Sequence, residues 1–206
     1  GLVRKANEDF IGNLTNQQTN GYGDVFIVCD GMGGHVGGAK ASQTAVECIK
    51  QYFENNPHVN PILALEKAIS FANQQIYAIS QNNPDLSGMG TTCTVLLRKG
   101  DNFYIAHVGD SRIYISTDKK LYRITKDHSF VQKLVDAGQL KNSEMESHPR
   151  KNELTRALGI SNNVEVEVSE NPIISKKGDK FLMCSDGLCG LVNDLTISYI
   201  LNKNSR

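Results

Sequence analysis

The hydrophobic period of the chain changes once, and that change limits its fold more than any other feature. Between 39 and 82 the apolar residues recur at helical spacing. Ala41, Ala45, Val46, Ile49, Tyr52 and Phe53 share one face; after Asn60-Pro61 so do Ile62, Leu65, Ile69, Ala72, Ile76 and Ile79. Asn60-Pro61 supplies a helix cap and a first-turn residue, and Asn82-Asn83-Pro84 stops the second helix. From residue 91 the pattern is strand-like. TTCTVLLRKG, DNFYIAHVGD, SRIYISTDKK and LYRIT read as four short strands, with hairpin turns at 99–102 and 117–120. VFIVC (25–29) reads as a buried strand, VEVEVS (164–169) and KFLMCS (180–185) as later strands, and DLTISYILN as a final helix. Residues 127–160 are more polar, with short helical patterns in SFVQKLVDAG and ELTRAL, and they read as an insertion lying over the sheet. Two helices, then close-spaced antiparallel strands, then more helix predict an α+β fold with helices packed on sheet faces.

Composition narrows the function. The 206 residues suit one domain spanning 1–206, with 127–160 as a subdomain. Lys plus Arg and Asp plus Glu number 22 each, and Trp is absent, so neither a nucleic-acid surface nor a polybasic membrane arm is expected. No apolar run reaches the roughly 18 residues of a membrane span. The five cysteines are odd in number and form no Cys-x-x-Cys, which fits reduced, buried thiols and a cytoplasmic setting. Nothing in the sequence demands more than a monomer.

Three apolar runs end in an aspartate followed by a small residue: VFIVC-Asp30-Gly31, FYIAHVG-Asp110-Ser111 and KFLMCS-Asp186-Gly187. Aspartate is depleted in strands. One Asp-Gly after a strand is an ordinary turn, but three of them, with Glu8 and Asp9 near the start, suggest carboxylates converging on one point. Like charges at that range require a neutralising partner. An all-oxygen set suits Mg²⁺ or Mn²⁺ rather than zinc. The glycine-rich VCDGMGGHVGG lacks the Gly-Lys-Ser/Thr of a P-loop, and Val36 breaks a dinucleotide fingerprint. Its glycines are expected to bring backbone close to a metal, with the Gly31 carbonyl as a ligand. Arg4, four residues before Glu8, is suited to a phosphoryl group. No Cys/Arg nucleophile motif, Asp-x-Asp or Gly-x-Ser-x-Gly elbow accompanies these acids.

Seven stretches, in order, resemble the metal-dependent protein Ser/Thr phosphatases (PPM, type 2C) in their compact bacterial form: GLVRKANED, VCDGMGGHVGG, GMGTT, HVGDSR, KDHS, HPRKNELTRALG and MCSDGL. The resemblance implies a four-layer sandwich, two antiparallel β-sheets flanked by helix pairs, with two or three metal ions at one end. It implies that Asp30 bridges two metals, that Gly31 and Asp186 are ligands, and that Asp110 joins Asp186 at a further site. Glu8 and Asp9 would hold metal-bound water, Arg4 would bind the substrate phosphate, and 127–160 would be a flap. Catalysis would use a metal-activated water attacking phosphorus in line, on phosphorylated proteins, opposing a cognate Ser/Thr kinase. Two departures stand out. Met32 occupies a position where some members carry a histidine proposed as general acid, and His35 lies three residues later. The family's late Asp-Asn pair is also absent, so the chain reads as clipped at both ends, lacking one ligand and one or two strands. Two alternatives remain: a catalytically silent metal-binding regulatory domain on the same fold, and a small-molecule phosphohydrolase.

Overall fold

The computed structural model describes residues 7–57 and 60–203, apart from the side chain of His35. Arg4 and the His35 side chain therefore lie outside the described residues. Two antiparallel sheets pack face to face. The first contains β1 (Asp9–Leu14), β2 (Asp24–Met32), β3 (Gly90–Thr91), β4 (Cys93–Lys99), β5 (Asn102–Val108), β8 (Glu167–Val168) and β9 (Ile173–Ile174), in the order β1-β2-β4-β5-β8. Beyond that path, β3 pairs with β2 and β9 with β5. The second contains β6 (Arg112–Thr117), β7 (Lys120–Arg123) and β10 (Lys180–Cys184), in the order β10-β6-β7.

Helices α1 (His35–Asn55) and α2 (Pro61–Asn82) cover the outer face of the first sheet. Ile49, Phe53, Leu65, Ile69 and Ile76 are fully buried there against Val25, Ile27 and Val95. Each such side chain contributes about 1.5–3 kcal/mol of transfer free energy. Asn60 caps α2 by accepting the Ile62 N–H at 2.8 Å, with Pro61 in the first turn. A second apolar layer, Phe26, Leu96, Phe103, Ile105, Ile113, Phe181 and Met183, fills the space between the sheets. On the far side, α4 (Asp186–Cys189) and α5 (Asp194–Lys203) follow β10, and α5 packs on β6 and β7. The result is the helix, sheet, sheet, helix layering expected from the motifs.

Four local expectations differ. β2 does not stop at Cys29; it runs through Asp30 and Gly31 to Met32, because β1 and β3 supply ladder partners there. α1 begins at His35 rather than near Ala39, so Gly37 and Gly38 are helical. ELTRAL is not a helix. It is held by bridges from Leu154 to Ser129 and from Leu158 to Thr91, contacts no local pattern encodes. VEVEVS forms only the two-residue β8. The segment 127–160 carries α3 (Phe130–Asp136), capped by Ser129, and a 3₁₀ turn at Asn142–Ser147.

Candidate metal and phosphate site

Side chains of β2 alternate between its two faces. Val25, Ile27, Cys29 and Gly31 are buried toward the helices, while Phe26, Val28, Asp30 and Met32 take the other face. Asp30 therefore emerges at the end of the cleft between the sheets. Asp110 lies where the chain crosses from β5 in the first sheet to β6 in the second. Asp186 opens α4 directly after β10. Asp9 is the cross-strand partner of Asp30. Four carboxylates from both sheets thus meet at one end of the sandwich. A cavity of about 360 Å³ is lined there by Glu8, Asp30, Gly31, Met32, Thr92, Asp110, Asn152 and Asp186, among others.

The backbone of Asp30 is fixed by threonines. Its N–H donates to Thr92 Oγ1 at 2.9 Å, and its carbonyl accepts from the Thr92 N–H at 2.9 Å and Thr91 Oγ1 at 3.0 Å. Thr92 Oγ1 also meets Ser111 Oγ at 2.8 Å, which ties Asp30 to the Asp110 crossover. Ser185 Oγ donates to Asp9 Oδ2 at 3.0 Å, joining the start of the chain to the turn that carries Asp186. Glu8 is buried, and its carbonyl accepts from Gly31 N–H at 3.1 Å and Ser42 Oγ at 2.6 Å. Gly31 must be glycine because of its neighbours. A Cβ there would lie 2.1 Å from the Gly38 carbonyl oxygen and 2.7 Å from that of Glu8.

Burial, reinforced by the charges of Asp186 and Asp9, pushes the Asp30 carboxyl up to about 8. Burial and then the charges of Asp186 and Asp127 push Asp110 up to about 6. Asp30 feels the charges of both Asp186 and Asp9 and is the common member of two carboxyl pairs. Among the described residues, the acids do not form a triple with all ligand atoms within 4.8 Å; the one triple that meets this spacing is His107, His128 and Glu167. An oxygen-only set spread around one shared aspartate fits hard divalent ions with waters completing their shells. It does not fit a single closed tetrahedral zinc.

Thr92, Ser111, Ser185 and Asn152 lie in the quoted motifs, but their roles arise from contacts remote in the chain that sequence alone does not assign. Asp127, in the KDHS stretch, likewise had no assigned role; it is buried and accepts from Arg112 Nε at 2.9 Å and Nη2 at 2.5 Å, with Arg123 Nη1 at 3.4 Å. This pairing anchors the segment 127–160 to β6 and β7.

Comparison with known proteins agrees with this geometry. The chain is 38% identical over 197 residues to the serine/threonine protein phosphatase PstP of Mycobacterium tuberculosis, covering 96% of this chain but 36% of that protein. It is 36% identical over 207 residues to the serine/threonine phosphatase stp of Listeria monocytogenes, covering 98% of this chain and 80% of the relative. It thus spans about a third of the first relative and most of the second. The crystal structure of the M. tuberculosis phosphatase PstP/Ppp superposes with a TM-score of 0.86 at 37% identity, covering 100% of this chain and 83% of that one. The PstP catalytic domain solved in complex with two manganese ions superposes with a TM-score of 0.78 at 36% identity, covering 96% and 79%. A family model described as protein phosphatase 2C matches residues 5–202, and the chain belongs to that family.

Proposed function

We propose that this chain hydrolyses phosphoserine and phosphothreonine in proteins, opposing a Ser/Thr kinase, with two or three Mn²⁺ or Mg²⁺ ions at the carboxylate cluster. The observation that carries this reading is Asp30, a partly buried carboxyl placed between Asp186 and Asp9 and raised to about 8 by burial and by their charges. Such a group calls for a cation. Asp30, Asp186 and the Gly31 carbonyl would hold the ions, Asp110 with Asp186 a further one, and Glu8 and Asp9 would orient water. Bound divalent ions would lower the pKa of water and offset charge on the phosphoryl oxygens.

The chain's own residues do the positioning. Thr91 and Thr92 lock the Asp30 backbone, so the carboxyl meets its partners without reorganising. Ser185 holds the Asp9 carboxylate and leaves one of its oxygens for other contacts. Arg4 is proposed to bind the phosphate and His35 to donate a proton; neither side chain is among those described. We further propose that 127–160 acts as a flap, and that the domain works as a cytoplasmic monomer. Among the described residues, no helix is long and apolar enough to cross a membrane.

A protein substrate is favoured over a metabolite by the shape around the site. The cavity shares Asp110, Asn152 and Asp186 with a small neighbouring cavity of about 60 Å³, which shares Arg112, Glu146 and Lys151 with a further cavity of about 590 Å³. A row of neighbouring cavities of this kind suits a polypeptide better than a single enclosed pocket would. The test compares kcat/KM for a phosphothreonine peptide and for small phosphate monoesters with Mn²⁺. The proposal expects the peptide to be preferred. Preference for a metabolite-sized ester would favour the small-molecule reading, and silence on both would favour a regulatory domain.

A further inference from the structure

His128 lies 18 residues beyond Asp110 in sequence and 7% exposed in the fold, and every polar atom of it is committed. Its backbone N–H donates to the Gly109 carbonyl at 2.8 Å, and its ring Nδ1 accepts the Gly109 N–H at 3.1 Å. Both polar groups of one peptide residue are therefore held by one side chain and its own backbone. Gly109 sits directly before Asp110, at the crossover between the sheets, with φ of 108°. A Cβ there would stand 2.6 Å from Thr92 Cγ2, so the turn is tight as well as left-handed.

The Gly109 N–H sets the tautomer of the ring. Nδ1 accepts, so in the neutral ring Nε2 carries the proton, and it donates to Glu167 Oε2 at 3.1 Å. Burial, against the opposing pull of the Glu167 hydrogen bond, holds His128 below the ordinary imidazole range. The ring stacks on His107, with centroids 4.6 Å apart and planes 12° from parallel. His107 is itself tied through Nε2 to the Lys126 carbonyl at 2.9 Å. The His128 carbonyl accepts the Thr155 N–H at 2.8 Å, from the segment over the site.

His107, His128 and Glu167 also have metal-ligand spacing. The hydrogen bonds argue against an ion there. Binding through Nδ1 would strand the buried Gly109 N–H. Binding through Nε2 would displace the proton given to Glu167 and place a cation beside the Arg156 guanidinium, whose Nη1 is 3.2 Å away. The cluster is built to hold a turn.

We propose that His128 is a positioning residue for Asp110: it clamps Gly109 from both sides, and Glu167 keeps its ring in the tautomer that permits this. The inference rests on the phosphatase reading for its consequence but not for its geometry. Groups that orient metal-binding side chains from behind typically affect metal affinity or activity by about 10–100-fold. In the metal-free protein, a ¹⁵N coupling across the hydrogen bond from Gly109 to His128 Nδ1 is expected; its absence would overturn the inference without any variant. His128→Leu, which keeps bulk but removes the acceptor, is expected to weaken Mn²⁺ binding by calorimetry and kcat by about 10–100-fold each, with KM for p-nitrophenyl phosphate little changed. His128→Asn, whose side-chain oxygen falls near the position of Nδ1, is expected to recover most of that loss. Unchanged Mn²⁺ affinity in H128L, or no recovery in H128N, would overturn the positioning role. Should H128L fail to fold, Glu167→Ala at the half-exposed end of the relay is expected to weaken the coupling and Mn²⁺ binding; unchanged values would overturn it. A wild type that binds Mn²⁺ and shows the coupling, yet cleaves no phosphate ester, would sink the phosphatase reading while the clamp stood.

Discussion

Asp9 and Asp30 face each other directly across the first antiparallel ladder, and the charge of Asp9 helps to raise the Asp30 carboxyl. Like charges at opposed strand positions destabilise a sheet, and this pair has Asp186 beside it. The arrangement is costly for the protein alone and favourable once a cation is present, which makes it the physical centre of the account.

The pH dependence of the metal-free protein follows. The folded Asp30 carboxyl titrates near 8 and that of Asp110 near 6, both raised from 3.8. A carboxyl raised on folding favours the fold below its unfolded pKa, and this contribution is lost as pH rises through the folded value. The metal-free protein should therefore lose thermal stability between about pH 4 and pH 8. Asp30→Asn should flatten that profile and raise Tm at pH 8, by about 2–4 °C for each kcal/mol of relieved repulsion. Calorimetry in a chelating buffer measures both.

Metal should reverse the trend. At 100 times its dissociation constant, Mn²⁺ stabilises by about 2.7 kcal/mol for one site, or roughly 5–10 °C at this size. Asp186→Asn should remove most of the shift, because it takes one partner from Asp30. A thermal-shift titration at pH 8 with and without Mn²⁺ reads the difference.

Two Asp-Gly pairs that look alike in sequence should respond differently to alanine. At Gly31 the new Cβ meets backbone oxygens of Gly38 and Glu8, so Gly31→Ala should cost about 1–3 kcal/mol and most of the activity. At Gly187 the nearest atom is Ser185 Oγ at 3.6 Å, an ordinary contact. Gly187→Ala should stay within about 0.5 kcal/mol of wild type. Urea unfolding of both variants is the check.

The buried ion pair between residue 127 and β6 gives a further contrast. Asp127 and Arg112 have side chains 4% and 13% exposed, whereas Asp118 and Lys176 are 73% and 57% exposed. Asp127→Ala leaves Arg112 without its bidentate partner and should cost about 3–5 kcal/mol. Lys176→Ala should leave the urea midpoint close to that of the wild type, because an exposed pair is screened by solvent. Equal costs would contradict the anchoring role given to Asp127.

Local signals carried much of this into view from sequence. α2 was legible because Asn60-Pro61 and the 3.6-residue period agree, and the hairpins because Gly100, Asp118 and Lys119 adopt the positive φ that such turns require. Asp30, Asp110 and Asp186 were legible because acids break apolar runs. Their placement was less so. Asp30 reads as a turn residue locally, and only pairing with β1 and β3 keeps it in a strand. ELTRAL has helical periodicity but is fixed by distant partners at Thr91 and Ser129. β1 was missed because only one of its six residues is buried, and Gly12 leaves room there for Val46 of α1, whose Cγ1 would lie 2.7 Å from a Cβ. His107, His128 and Glu167 come together only in the fold, so no spacing rule could have found them.

The most direct test of the central claim is Mn²⁺-dependent release of phosphate from a phosphothreonine peptide by the wild type and by Asp30→Asn. The account predicts hydrolysis by the wild type that chelator abolishes and Mn²⁺ restores, and a loss of at least about 10²-fold in kcat on replacing Asp30. Hydrolysis that persists undiminished in Asp30→Asn, or that ignores the chelator, would contradict it.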